Sequence, residues 1–254
     1  MSESLLWHQR RDPRGRQLIL FPYLGGFGAS YNALIPRLSP GWDVWSVNPP
    51  GHGPSAGPPI ARLAPLVDRY VAEIGPMLRP GAVFFGHSMG GIVAYCVLAA
   101  LGRRRRRTLP GALVLSACRA PRDLPPGAWQ QATDDQLLDH LIGLGAIPEQ
   151  IATDRSLVEF FLPAFRADYG VLEDARGLRP APLDVPSWLI LGDRDPQTPA
   201  GTPRAWQDYL VPRLRLRVLA GEGHMYVHHA FQQIDRVLGE AGGDRVAAGL
   251  GVLS

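Results

Sequence analysis

Lysine is absent from this 254-residue chain: all 26 of its basic side chains are arginine. With heavy use of alanine, glycine and proline, that absence reflects the codons of a GC-rich genome and carries no functional meaning. Cysteine is scarce. Cys96 and Cys118 both lie in apolar segments and read as buried core thiols, which argues against a disulfide or a metal site. No apolar run approaches the roughly 20 residues needed to span a bilayer. Residues 1–16 have no apolar core behind a basic start, so a cytoplasmic protein without membrane contact is expected. There is no internal repeat or heptad, no H-E-x-x-H and no P-loop. Gly25-Gly26-Phe27-Gly28 lacks the G-x-G-x-x-G spacing. No metal and no dinucleotide are therefore expected. A net charge of +3 favours an acidic partner and is too small to argue for nucleic acid.

The composition, 46% hydrophobic and 19% charged, suits one domain over residues 1–254 with a full core. Short apolar runs at 18–21, 43–47, 82–85, 113–116, 188–191 and 214–219 read as strands. Residues 63–78, 92–101 and 231–238 read as helices. This alternation predicts an α/β fold: a mostly parallel central sheet flanked by helices. Residues 121–182 break the rhythm, with helical stretches at 134–144 and 156–167 and no convincing strand. They are expected to form a helical insertion that acts as a lid over a site at the carboxyl ends of the strands. An ordinary crossover with extra helices is the plainer alternative.

The sharpest motif is Gly86-His87-Ser88-Met89-Gly90-Gly91. It matches G-x-S-x-G and falls between an apolar strand and a helix. That context is what makes Ser88 a candidate nucleophile: a tight turn with small flanking residues holds its hydroxyl at the head of the next helix. Serine needs a base, and the base needs an orienting carboxylate. In the α/β-hydrolase fold these follow in the order Ser, Asp or Glu, His. Asp193 and Asp195 both follow the 188–191 strand. Asp195 is favoured because it lies further into its loop, leaving Asp193 to a turn. His224 follows the last strand, and its ordinary pKa suits proton transfer at neutral pH. His52, His87, His228 and His229 read as packing, pocket-lining or surface residues. Two backbone amides are expected to bind the oxyanion, those of Met89 and of Leu24 or its neighbour Gly25.

With these motifs in place, the chain resembles the type II thioesterases that accompany nonribosomal peptide and polyketide synthases. The resemblance is carried by residues 21–26 (Phe-Pro-Tyr-Leu-Gly-Gly), 49–53 (Pro-Pro-Gly-His-Gly), 86–91, 116–121, 162–169 (Leu-Pro-Ala-Phe-Arg-Ala-Asp-Tyr), 192–196 and 223–225. It runs from about residue 18 to 238, and Arg-Ala-Asp-Tyr is its most discriminating piece. It implies hydrolysis of acyl or aminoacyl thioesters from the phosphopantetheine arm of acyl or peptidyl carrier proteins, through an acyl-Ser88 intermediate. It also implies no cofactor beyond the arm the substrate carries, and a monomer. Leu24 departs from the family pattern and would narrow the pocket. Met89, Leu24, Gly25, Phe160, Phe161 and Phe165 are expected along the pocket, with plain lid packing the alternative for the phenylalanines. The basic run Arg103–Arg107 reads as a solvated loop, or else as a field that steers an acidic carrier. A general esterase, an acyltransferase or a carrier-binding module without turnover could share this scaffold.

Overall fold

A computed structural model describes residues 4–55, 57–104, 109–127, 129–144, 146 and 154–243. Seven strands form one sheet in the order β1-β3-β2-β4-β5-β6-β7. They are β1 (Leu6–Arg10), β2 (Arg16–Phe21), β3 (Trp42–Val47), β4 (Val83–His87), β5 (Ala112–Ser116), β6 (Ser187–Gly192) and β7 (Arg215–Leu219). β1 pairs antiparallel with β3, and every other pairing is parallel. This is the α/β-hydrolase architecture. Six α-helices are seen among the described residues: α1 (Leu63–Met77), α2 (Met89–Arg103), α3 (Asp134–Gly143), α4 (Arg155–Arg176), α5 (Thr202–Gln207) and α6 (Phe231–Ala241).

The period of two divides each central strand between two cores. Ile19, Phe21, Phe84, Leu113, Leu115 and Leu189 face α1 and α2. Leu18, Leu20, Val83, Phe85, Val114 and Ile190 face α6 and the segment around Tyr31. α2 is buried from Met89 to Leu101, as expected of a helix apolar on all sides.

The order β3-β2-β4 fixes where a site can sit. From β2 the chain leaves toward one edge, and from β4 it leaves toward the other, so the loops beyond their carboxyl ends diverge and open a crevice. Phe21 pairs beside Gly86, which brings the ends of β2 and β4 level.

Two elements escape the sequence reading. β1 is an edge strand with only partial burial, so its alternation is weak. α5 is six residues long, too short for a periodic signal. α4 runs nine residues beyond the expected 167. Gly170, a poor helix former, masks the continuation. A Cβ there would lie 2.4 Å from the Ala61 carbonyl oxygen, so the glycine permits close packing of helix on loop. Between β5 and β6, α3 and α4 build a small core of their own from Leu137, Leu141, Val158, Leu162 and Phe165. No helix among the described residues is long and apolar enough to cross a membrane.

Candidate active site

Ser88 stands between β4 and α2 with φ 52° and ψ −123°. A non-glycine residue at positive φ is strained, and the strain is held by its surroundings. The Ser88 N–H donates to the Ser116 carbonyl at 2.7 Å. The flanking glycines are steric necessities. A Cβ on Gly86 would lie 2.3 Å from the Gly90 carbonyl, and one on Gly90 would lie 2.1 Å from the Phe21 carbonyl oxygen. The turn therefore packs backbone against backbone on both sides of the serine.

His224, in the loop after β7, lies with Nε2 3.0 Å from Ser88 Oγ and Nδ1 2.8 Å from Asp195 Oδ2. Asp195 is an acceptor only, so Nδ1 carries the proton and the bare Nε2 accepts from the serine hydroxyl. Burial pushes the Asp195 carboxyl up. Hydrogen bonds from His224, the Thr198 hydroxyl at 2.8 Å and the Gln197 amide at 2.8 Å outweigh it and hold the group below its ordinary value. Asp193 is engaged elsewhere, accepting the Gly221 N–H at 2.7 Å.

Leu24 and Met89 line the cavity beside Ser88, and among the hydrogen bonds of the described residues neither N–H has a protein acceptor. Met89 opens α2, where the first amides have no partner within the helix. Gly25 differs from expectation. Its N–H donates to Asp168 Oδ2 at 2.7 Å, and it is absent from the cavity wall. It adopts φ +72°, and a Cβ there would lie 2.2 Å from the Phe165 ring. Gly25 is thus the point where α4 presses on the loop after β2.

The cavity above Ser88 measures about 520 Å³. Tyr23, Met225 and His228 line it near Ser88 and His224, and Leu124, Trp129, His140 and Tyr169 line it on the insertion side. Phe161 and Phe165 do not reach it. Both pack in the core between α3 and α4, where apolar burial holds the insertion together, while Phe160 is exposed. Their helical spacing marks a buried stripe but does not say which apolar surface the stripe meets. Arg104 pairs with Asp68 at 2.6 Å at the end of α2 away from Ser88. Arg105, Arg106 and Arg107 lie outside the described residues.

Comparison with known proteins gives this geometry a family. The thioesterase domain family matches residues 16–241. Thioesterase PikA5 of Streptomyces venezuelae is 30% identical over 237 residues, covering 91% of this chain and 84% of its own length. The chain belongs to the thioesterase family. Among solved structures, the type II thioesterase BorB from the borrelidin biosynthetic cluster superposes with a TM-score of 0.83 at 28% identity, covering 95% of this chain and 99% of its own. RedJ, a thioesterase from the prodiginine pathway in Streptomyces coelicolor, superposes at 0.80 with 26% identity, covering 89% and 90%.

Several groups around this thioesterase's site lie within the sequence motifs, but sequence alone gives them no specific role. Asp168 is buried on α4 and receives both Gly25 and the His52 ring. His87 is wholly buried beside Ser88. Its Nδ1 lies 2.9 Å from Ser116 Oγ, Ser116 Oγ lies 2.7 Å from the Tyr226 hydroxyl, and Tyr226 donates to the Ile190 carbonyl at 2.9 Å. A carbonyl only accepts, so the proton order runs outward from His87 Nδ1. Its buried Nε2, which has no hydrogen-bond partner among the described residues, is then a bare lone pair. Burial accordingly holds the His87 pKa well below its ordinary value. The ring supports the turn and stays neutral.

Proposed function

We propose that this chain is a type II editing thioesterase, hydrolysing acyl or aminoacyl thioesters from the phosphopantetheine arm of carrier proteins with Ser88, His224 and Asp195 as its triad. The observation that carries the reading is the Ser88–His224–Asp195 chain of hydrogen bonds, at 3.0 and 2.8 Å, on the floor of a cavity large enough for an acyl group. The likeness to PikA5 and BorB supports the carrier-bound substrate.

Ser88 Oγ attacks the thioester carbonyl carbon as His224 Nε2 takes its proton. Asp195 holds the ring in the required tautomer and stabilises the imidazolium. The amides of Met89 and Leu24 bind the oxyanion. The carbon–sulfur bond breaks, and the arm leaves as a thiol with the proton from His224. Water then attacks the acyl-Ser88 ester with His224 again as base, which frees the carboxylic acid and restores the serine. Thiolate is a good leaving group, so positioning and oxyanion binding supply most of the rate. The arm arrives with the substrate, so no separate cofactor is needed, and the enzyme acts as a monomer on its carrier.

The test is hydrolysis of acyl-phosphopantetheinyl carrier protein by wild type and Ser88→Ala, beside a p-nitrophenyl ester. Fast release that depends on Ser88, with weak ester turnover, is expected. Ester turnover without carrier preference would make the protein a general esterase. Carrier binding without turnover of either substrate would make it a binding module.

A further inference from the structure

The insertion side of the cavity carries more polar chemistry than an alkyl chain can use. Trp129 and His140 stack with ring centroids 3.6 Å apart and 7° between planes. His140 Nε2 lies 2.8 Å from the Tyr169 hydroxyl. All three side chains line the cavity. The group is held in place although Trp129 sits in a loop. The Arg166 guanidinium on α4 donates to the carbonyls of Gln130 at 2.9 Å and Ala132 at 2.6 Å, and pairs with Asp134. Tyr169 is three residues further along the same helix. Leu137, Leu141 and Phe165 form the apolar support beneath.

The hydrogen bond leaves a fixed capacity. Burial lowers the His140 pKa, so the ring is neutral at neutral pH. If Nε2–H donates to Tyr169, the phenol proton and the Nδ1 lone pair remain. If Tyr169 donates to Nε2, Nδ1–H and a phenol lone pair remain. In either tautomer the pair keeps one donor and one acceptor, and neither group makes another side-chain hydrogen bond among the described residues. An alkyl chain laid here strips water from both and returns nothing. A hydroxyl or a carbonyl satisfies one of them, and the stacked rings offer an apolar face to the carbons around it.

We propose that Trp129, His140 and Tyr169 form a recognition subsite for an oxygen atom carried on the acyl chain, making hydroxy- or oxo-acyl thioesters the preferred substrate class. This rests on the thioesterase reading above and goes beyond it by naming the acyl group.

The experiment measures kcat/KM for octanoyl N-acetylcysteamine thioester and for analogues with one hydroxyl or one keto oxygen walked along the chain. One position should exceed octanoyl by about five- to tenfold, the worth of one net hydrogen bond. Tyr169→Phe and His140→Phe should each lower that ratio toward unity. The comparison within wild type stands even if a variant fails to fold. No analogue exceeding octanoyl would overturn the proposal, and so would a preference that Tyr169→Phe leaves intact. Hydrolysis of octanoyl thioester in those cases leaves the thioesterase reading standing. If no thioester is cleaved at all, that reading fails first and this one with it.

Discussion

His52 Nε2 lies 3.1 Å from Asp168 Oδ2 while its Nδ1 lies 3.0 Å from the Pro50 carbonyl oxygen. Both partners only accept, so both contacts are satisfied together only when the ring carries two protons. Burial favours the neutral ring, but the Asp168 carboxylate outweighs it and raises the His52 pKa. A raised folded-state pKa gives stability that is full below the unfolded value of about 6.5 and is lost as pH rises through the folded value. Wild type should therefore exceed His52→Gln in melting temperature most below about pH 6.5, with the margin shrinking at higher pH. Thermal melts at a series of pH values check this, and a margin that does not vary with pH would contradict it.

The same carboxylate holds the Gly25 amide, one residue from Leu24. Asp168→Ala leaves a half-buried N–H unpaired and frees the loop that carries a proposed oxyanion donor. Losing such a donor outright costs about 10²–10³-fold in kcat. Loosening it should cost about tenfold or more in kcat with KM changed little. Steady-state kinetics on an acyl thioester separate the two constants.

The two loop aspartates should behave differently. Asp195→Asn removes the acceptor that sets the His224 tautomer and should lower kcat by about 10⁴-fold. Asp193→Asn affects only the Gly221 turn and should leave kcat within a small factor of wild type. Equal losses would reassign the acid.

Glycine-to-alanine changes within one strand–helix unit should have opposite signs. Gly90→Ala drives a methyl into the Phe21 and Pro22 carbonyls and should abolish soluble folded protein. Gly102→Ala, in the last turn of α2 with no atom of the described residues within 4 Å of its Cβ, should stabilise by about 0.5–1 kcal/mol. Denaturant titration reads both.

Burial pushes the Cys96 thiol up to about 12 and Cys118 further still. Neither thiol should react with a disulfide reagent in the native protein, and both should react once it is unfolded. Colorimetric thiol counting in the two states distinguishes this from a reactive surface cysteine.

The sheet was legible because strands buried on both faces read as continuous apolar runs bounded by glycine and proline. The G-x-S-x-G turn was legible because backbone-to-backbone packing leaves no room for other residues around Ser88. β1 left little trace because an edge strand is only half patterned. Leu24 and Met89 line the pocket as expected, but the insertion side of its wall was misread for a similar reason. Phe161 and Phe165 advertise burial, and burial does not distinguish a cavity lining from a core. Trp129 and His140 lie eleven positions apart and meet only through the fold of the insertion. Asp168 stands in the Arg-Ala-Asp-Tyr piece, yet its part as an anchor is not legible there, because a carboxylate acquires that part from the two loops it touches.

Residues Arg166, Asp168 and Tyr169 occupy one short stretch of α4 and grip, respectively, the 130–134 segment, the Gly25 loop and His140. That concentration matters to anyone building chimeras from this scaffold. Exchanging the insertion alone would sever bonds to residues 25 and 52, which lie far outside it in sequence. A transplant that keeps its catalytic competence must move the helix together with the two distant loops, as one inherited unit.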